Sequence, residues 1–305
     1  MTVTQWLDDR QAILLDGAMG TQLAVAGLSM GGQNSVHHPD QVLAVHRAYA
    51  ATGCDILITN TLTMNRIYIE THGVGVDVEE VNLAAAQLAR AAAGPGQYVL
   101  GDLSATGQML APFGEYAEAQ FYETFREQAV CLLTGGVDGF IVETMIDLRE
   151  ALCAVRACRA VADLPVLVSL AFQTTRRGGR TVMGDSARDA AIALAGAGAA
   201  AVGANCGDLT PDETAIIVAT MRDAVTLPIL AQPNAGRPKL INGQTIFDMT
   251  PEAFGQGIAA CLEAGATLVG GCCGTSPQHI RAAKKAVEAF RARLTCAAYL
   301  QELRS

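Results

Sequence analysis

The sequence predicts an α/β protein of the (β/α)8 barrel class, one domain in which eight parallel strands alternate with helices. Three observations lead there. Four segments repeat one pattern, a helix ending on Gly followed by a short β-rich run that closes on polar residues: ATGCDILITN (51–60), TGGVDGFIVET (134–144), GAGAAAVGANC (196–206) and EAGATLVGGCC (263–273). Gly ends a helix because the left-handed stop conformation costs it little, and an unbroken apolar run is what a strand buried on both faces requires. Four further runs, ILLDGA, YVLGDLS, VLVSLAF and PILAQPN, bring the strand total to eight. No composition shift or long linker divides the chain, which fits a single barrel better than the alternative of two doubly wound halves.

Taken in order, the runs end on chemically useful residues. Asp16 follows the first, Asn60 the second, Asp102 the third and Glu143 the fourth; after the fifth comes a basic turn with Arg176, Arg177 and Arg180. Cys206 closes the sixth, Asn234 the seventh, and the adjacent Cys272 and Cys273 the eighth. In a barrel of this class the C-terminal strand ends share one mouth, so these side chains are expected to face a common space. Helices are announced by Thr210-Pro211-Asp212-Glu213, a capping box with Pro at the first helical position, and by Thr250-Pro251 and Ser276-Pro277. The barrel is expected to occupy residues 1–305, with 291–305 a C-terminal helical tail that packs on the barrel or on a second copy, so a homo-oligomer is left open.

Composition narrows the class. Half of the 305 residues are apolar and the formal net charge is −9, with basic residues scattered, which argues against nucleic acid as a partner. Asp8, Asp9 and Arg10 interrupt the place where a signal peptide needs an apolar core, and the low-polarity stretch from Ala190 to Ala204 is too short for a membrane span. The expected setting is the cytoplasm, with no membrane partner. Nine cysteines there read as buried thiols plus a metal or catalytic site, not as a disulfide framework.

Cys206, Cys272 and Cys273 stand apart from the rest. Strands six and eight lie near one another across a barrel top, so the three thiols can converge on one soft ion such as zinc, with a fourth position left for a reactant. Adjacent residues of a strand point to opposite faces, so Cys272 and Cys273 reach one ion only after the chain has turned, which Gly270, Gly271 and Gly274 permit. A redox pair is the competing reading, but CC is not the CxxC of thioredoxin-like proteins. Cys54, Cys131, Cys153, Cys158, Cys261 and Cys296 read as structural core residues. The five histidines, including His37 and His38, read as structural or solvated, in helix-start or loop contexts, the basic turn as solvated, and GVGV (73–76) as lacking the setting of a phosphate loop.

The motifs DGAMGTQL (16–23), VETMIDLREA (142–151), GANCG (203–207), AQPNAG (231–236) and GGCCGT (270–275), in that order, resemble those of the zinc-dependent homocysteine S-methyltransferases. Within them the likeness is greatest to the homocysteine-binding barrel of the cobalamin-dependent methionine synthases, and it runs from Leu14 to Phe290. The resemblance implies that Cys206, Cys272 and Cys273 hold Zn²⁺, which binds the homocysteine sulfur at its open position. That sulfur, as a thiolate, would attack a methyl group, with no separate general base. Asp16 and Glu143 would receive the substrate ammonium, the N–H groups of Gly17 and Ala18 its carboxylate, and Asn234 would lend its carbonyl to zinc when substrate is absent.

Two stretches depart from the family pattern. ITNTLTMNR (58–66) has Ile58, Thr59 and Leu62 where relatives carry a glutamate-containing loop, and GDLSATG (101–107) replaces a GPTG-like turn. A corrinoid module or folate barrel would each need about 100–200 further residues. The methyl group is therefore expected from outside, from methylcobalamin or another methylcorrinoid on a separate protein. The alternatives are a small donor such as S-methylmethionine or betaine, or a role as the zinc-thiol subunit of a larger corrinoid assembly. An apolar rim at the barrel mouth would favour docking, and a closed pocket a small donor.

Overall fold

A computed structural model describes residues 12–241 and 243–302. The strands are β1 (Ile13–Leu14), β2 (Ile56–Ile58), β3 (Tyr98–Leu103), β4 (Gly139–Met145), β5 (Val166–Leu170), β6 (Ala201–Asn205), β7 (Ile229–Gln232) and β8 (Leu268–Val269). Each pairs in parallel with its sequence neighbour from β2 to β8, and β8 pairs with β1. A bridge from Leu15 to Ile56 brings β1 to β2 and joins the two ends of the sheet. Eight helices surround this (β/α)8 barrel: α1 (Pro39–Ala50), α2 (Val78–Ala92), α3 (Glu118–Thr134), α4 (Leu148–Val161), α5 (Ala187–Gly196), α6 (Pro211–Arg222), α7 (Pro251–Glu263) and α8 (Pro277–Glu302). Short helices sit in the loops after β1 and β2, and hairpins in those after β5 and β7.

Strand alternation divides the core in two. Ile13, Leu15, Ile56, Leu100, Ile141, Leu167, Leu230 and Leu268 fill the barrel interior, while Leu14, Leu57, Val99, Phe140, Val168 and Val202 face the helices. Because the side-chain period is two, the next inward residue beyond an interior leucine or isoleucine points into the mouth. The glycines of the four repeated segments do what their position requires: Gly53, Gly136, Gly198 and Gly265 all have positive φ, from 75° to 107°.

The expected helix starts are present. Thr210 Oγ1 accepts the Glu213 N–H at 3.3 Å while the Glu213 carboxylate accepts the Thr210 N–H at 2.8 Å. At α8 a histidine completes the turn: His279 Nδ1 accepts the Ser276 N–H at 3.2 Å, leaving Nε2 protonated to donate to the Met249 carbonyl at 2.9 Å. Farther along α8, the Arg291 guanidinium donates to the carbonyl of Ala12 and to Asp55 Oδ2, at 2.8 and 2.9 Å, tying the helix across the N-terminal end of the barrel. The helix runs unbroken to Glu302, so the tail is its continuation; residues 303–305, and Asp8, Asp9 and Arg10 of the export argument, lie outside the described residues. No helix among the described residues is long and apolar enough to cross a membrane.

Two sequence expectations need correction. Cys296 is exposed on α8, in a stretch where every residue from Ala292 to Cys296 is exposed, so no core packs there. His46 is neither at a helix start nor in a loop: it lies within α1, fully buried, with neither ring nitrogen hydrogen-bonded. Burial lowers its pKa from 6.5 to about 4. Its contribution to stability is thus complete above pH 6.5 and is lost as pH falls towards 4, since the unfolded chain then takes up the proton first. Replacing His46 by Leu is expected to raise stability by about 1–3 kcal/mol at pH 7, by removing two unpaired buried polar atoms, and by more at pH 5. Denaturant melts at the two pH values check both statements.

Glu150 behaves in the opposite sense. Its Oε1 accepts the N–H and hydroxyl of Thr106 at 2.7 and 2.8 Å, yet burial raises its pKa from 4.5 to about 7. Stability from the protonated side chain is complete below pH 4.5 and is lost as pH rises through 7. A Glu150→Gln variant keeps an acceptor for Thr106 and cannot ionise. It is expected to match the parent near pH 4.5 and exceed it at pH 8 by up to about 3 kcal/mol, read from melts across that range.

Candidate active site

The polar strand ends meet at the C-terminal mouth. Counting inward from the interior residues, Leu100 leads to Asp102, Ile141 to Glu143, Leu167 to Ser169, Ala201 to Asn205 and Leu230 to Gln232, all buried. Asp102, Glu143 and Gln232 line a cavity of about 340 Å³. Gly17, Ala18, Asn60, Thr144, Cys206, Cys272 and Cys273 line it too.

The three cysteines converge. Their sulfur atoms all lie within 4.8 Å of one another, and Cys206 Sγ is 3.9 Å from Cys273 Sγ. Strand alternation would point Cys206 outward after Asn205, but the backbone turns left-handed at Cys206 (φ 53°) and Gly207 (φ 68°) and swings the thiol back. On the other side β8 ends at Val269, and the chain turns over Gly274 (φ 79°), so Cys272 and Cys273 face the same space. At Gly271 a Cβ would stand 2.6 Å from Thr275 Oγ1, so any side chain there forces Thr275 to shift.

These residues fit a zinc ion. Thiolates around a tetrahedral zinc, with Zn–S of about 2.3 Å, lie roughly 3.8 Å apart, close to the Cys206–Cys273 spacing. Without metal, hydrogen bonds from the Cys272 and Cys273 thiols pull the Cys206 pKa far down, and the same hydrogen bonds, with burial and the Cys206 charge behind them, push theirs up. Asn234 donates through Nδ2 to the Gly207 carbonyl at 3.0 Å, while its buried Oδ1 has no partner and suits a fourth ligand.

Support comes from residues to which the sequence pointed no role. Asn205 Oδ1 accepts the Thr144 N–H at 2.8 Å and the Ser169 hydroxyl at 2.7 Å, and its Nδ2 donates to Thr144 Oγ1 at 2.7 Å and towards Cys272 Sγ at 3.8 Å. Thr144 is held at φ 59°, unfavourable for a β-branched residue, where β4 breaks register between Val142 and Met145. Thr275 Oγ1 donates to the Cys272 carbonyl at 2.7 Å and accepts the Ala18 N–H at 3.0 Å; Tyr49 donates to the Ala18 carbonyl at 2.9 Å. Alternation of period two, counted from the interior residues Ala201 and Leu230, would have found Asn205 and Gln232. Nothing local marks Thr275 or Tyr49.

The cavity wall and the residues beside it are rich in unpaired acceptors. Asp16 Oδ2 accepts the Ile58 N–H at 3.0 Å, but Asp16 Oδ1, Asp102 Oδ1, Glu143 Oε2 and Gln232 Oε1 are buried without partners. Burial raises the pKa of all three carboxyls, that of Glu143 to about 7; Glu143 further raises Asp16 and Asp102, and the Cys206 charge further raises Glu143. Among the described residues, no Lys, Arg or His lines the cavity. Such a wall calls for a cation from outside. Asp16 and Asn234 lie beside the lining, and the basic turn of Arg176, Arg177 and Arg180 lies off it. Gly73 and Gly75 of GVGV lie off it as well, Gly73 ending the short helix Arg66–His72.

Several known proteins are similar to this chain in sequence or in fold. The family model described as Homocysteine S-methyltransferase matches residues 13–287. Among curated relatives, the methionine synthase of Mycobacterium tuberculosis is 30% identical over 293 residues, covering 89% of this chain and 24% of the relative; that of Mycobacterium leprae gives the same figures. The chain thus spans about a quarter of the length of the curated relatives it matches. Among solved structures, the metallated form of the homocysteine methyltransferase MmuM from Escherichia coli superposes with a TM-score of 0.74 at 22% identity, over 95% of this chain and 98% of that one. The carboxyl transferase domain of Rhizobium etli pyruvate carboxylase shares the fold more distantly, with a TM-score of 0.54 at 16% identity over 95% of this chain and 51% of that one.

Proposed function

The chain belongs to the homocysteine S-methyltransferase family, and we propose that it methylates homocysteine to methionine, with Cys206, Cys272 and Cys273 holding Zn²⁺ at the barrel mouth. The observation that carries this reading is the set of three sulfur atoms within 4.8 Å of one another beside a cavity walled by unpaired acceptors. Bound zinc would keep the substrate thiol deprotonated, and three cysteinates would leave it electron-rich towards a methyl group. The chain's own groups do the rest. Asp16 and Glu143 receive the ammonium and orient the thiol towards the cysteines. Gly17 is the remaining amide of the expected pair for the carboxylate, since Thr275 already takes the Ala18 N–H. Asn234 Oδ1, buried and without a partner, would hold the zinc together with the three cysteines when homocysteine is absent.

The donor is read from the rim. Met30, Leu62, Met109, Phe113, Ile146 and Leu240 are exposed on the loops after β1, β2, β3, β4 and β7, all at the C-terminal face. Apolar side chains ringing a mouth support docking of a separate methylcorrinoid protein, in the cytoplasm, over free diffusion of a small donor. The cavity of about 340 Å³ favours, as second reading, a small donor such as S-methylmethionine or betaine.

The test incubates zinc-loaded protein and homocysteine with methylcobalamin, a methylcorrinoid protein, S-methylmethionine or betaine in separate reactions and assays methionine. The reading expects methionine from the corrinoid arms. Methionine from the small donors alone would move the donor to the second reading, and none from any arm would sink the activity.

A further inference from the structure

Resting on the reading that an amino thiol enters this cavity, we propose that Asp102 is a specificity-determining residue: a third carboxyl through which the site selects its substrate by the amino group and not by the carboxylate. Asp102 follows Leu100 on the inward face of β3, is 3% exposed, lines the cavity and has Oδ1 unpaired. Its backbone, by contrast, is held on both sides. The N–H donates to Thr59 Oγ1 at 2.9 Å, and the carbonyl accepts from Thr61 Oγ1 at 2.7 Å and Gln128 Nε2 at 3.3 Å. A rigid main chain that presents an unsatisfied carboxyl to a cavity is arranged for a ligand. The two stretches that depart from the family pattern, 58–66 and 101–107, are therefore joined by the Asp102–Thr59 hydrogen bond and act together at this wall.

The chemistry of the ligand follows from the balance of donors and acceptors. Gln232 Oε1, an uncharged acceptor that is also buried and unpaired, lines the same cavity. The carboxyls do not form a second metal centre, since among the described residues only the three cysteines bring ligand atoms within 4.8 Å of one another. With no cationic side chain among the described residues of the lining and the Ala18 N–H given to Thr275, a substrate carboxylate finds only uncharged donors such as the Gly17 N–H, Thr63 and Tyr68, whereas an ammonium finds buried carboxyl and amide oxygens without partners. A thiol that keeps its amine and lacks its carboxylate should fit; one that keeps the carboxylate and lacks the amine places charge against charge.

Calorimetric binding to zinc-loaded protein tests this with homocysteine, 3-aminopropane-1-thiol and 4-mercaptobutanoate. The parent protein should bind the aminothiol within about 10-fold of homocysteine and the mercapto acid at least about 100-fold more weakly. In Asp102→Asn, and equally in Asp102→Ser, both amines should weaken about 10-fold while the mercapto acid gains, with zinc content and circular dichroism unchanged. An unaltered preference in both variants, or a parent that binds the mercapto acid as well as the aminothiol, overturns the assignment. Aminothiol binding that depends on Asp102 without any homocysteine binding would support it while sinking homocysteine as the substrate; no binding of either amine overturns both.

Discussion

Metal content should collapse to below about a tenth of an equivalent in a Cys272→Ser variant that remains folded, and methionine formation should fall at least about 1000-fold. The backbone at Cys272 is anchored independently of its sulfur: the N–H donates to the Pro233 carbonyl at 2.9 Å, and the carbonyl accepts from Thr275 N and Oγ1 at 3.1 and 2.7 Å. The substitution therefore changes the ligand atom and little else. A serine hydroxyl stays protonated and is a hard donor, whereas the site's affinity rests on charged, polarisable sulfur. In the proposed zinc site, two thiolates with Asn234 would not supply the negative charge that keeps a bound substrate thiolate reactive. Metal analysis after dialysis and a methionine assay read the two effects. Cys131→Ser is the control, since Cys131 is buried on α3, outside the cysteine trio, and its loss should leave metal in place. Full metal retention in Cys272→Ser would show that the trio is not the binding site.

Asn205→Ala is expected to lower metal affinity about 10–100-fold and to cost about 2–4 kcal/mol of stability, although Asn205 is not a ligand. Its amide spans three elements, accepting from Thr144 of β4 and Ser169 of β5 and donating towards Cys272 beyond β8. Removing it leaves a buried N–H and hydroxyl unpaired and releases Thr144 from its left-handed conformation, which aims the neighbouring Glu143. Zinc competition with a chromophoric chelator and a denaturant melt separate the two losses. Asn205→Asp keeps the acceptor for Thr144 and Ser169, so it should recover most of the stability. It loses the donor to sulfur and adds charge beside the thiolates, so it should not recover full metal affinity. Equal metal affinity in parent and both variants would reduce Asn205 to a packing residue.

Much of the site was legible because barrels put chemistry at one end of every strand. Asp16, Asp102, Glu143, Cys206, Asn234 and Cys272 could be named from where apolar runs stop, and the structure gathers them at one mouth. Alternation inside each strand was legible too, and following it from Leu100 and Leu230 leads to Asp102 and Gln232. His46 shows the reverse: the sequence reading put it in a helix-start or loop context, whereas it lies inside α1, where only the packing around it removes it from water.

By itself, then, the sequence determined the strand–helix alternation, the helix stops at glycine and the three thiols, all of which are local properties of residue type and order. Tertiary structure alone decided that Cys206 faces inward against the alternation of its strand, that Thr275 occupies the Ala18 amide and that Asp102 Oδ1 has no partner. The physical reason is distance along the chain. A left-handed turn at a non-glycine residue, a hydrogen bond between positions 18 and 275, and an unsatisfied buried oxygen are each set by what other elements bring alongside, and no window of neighbouring residues contains that information.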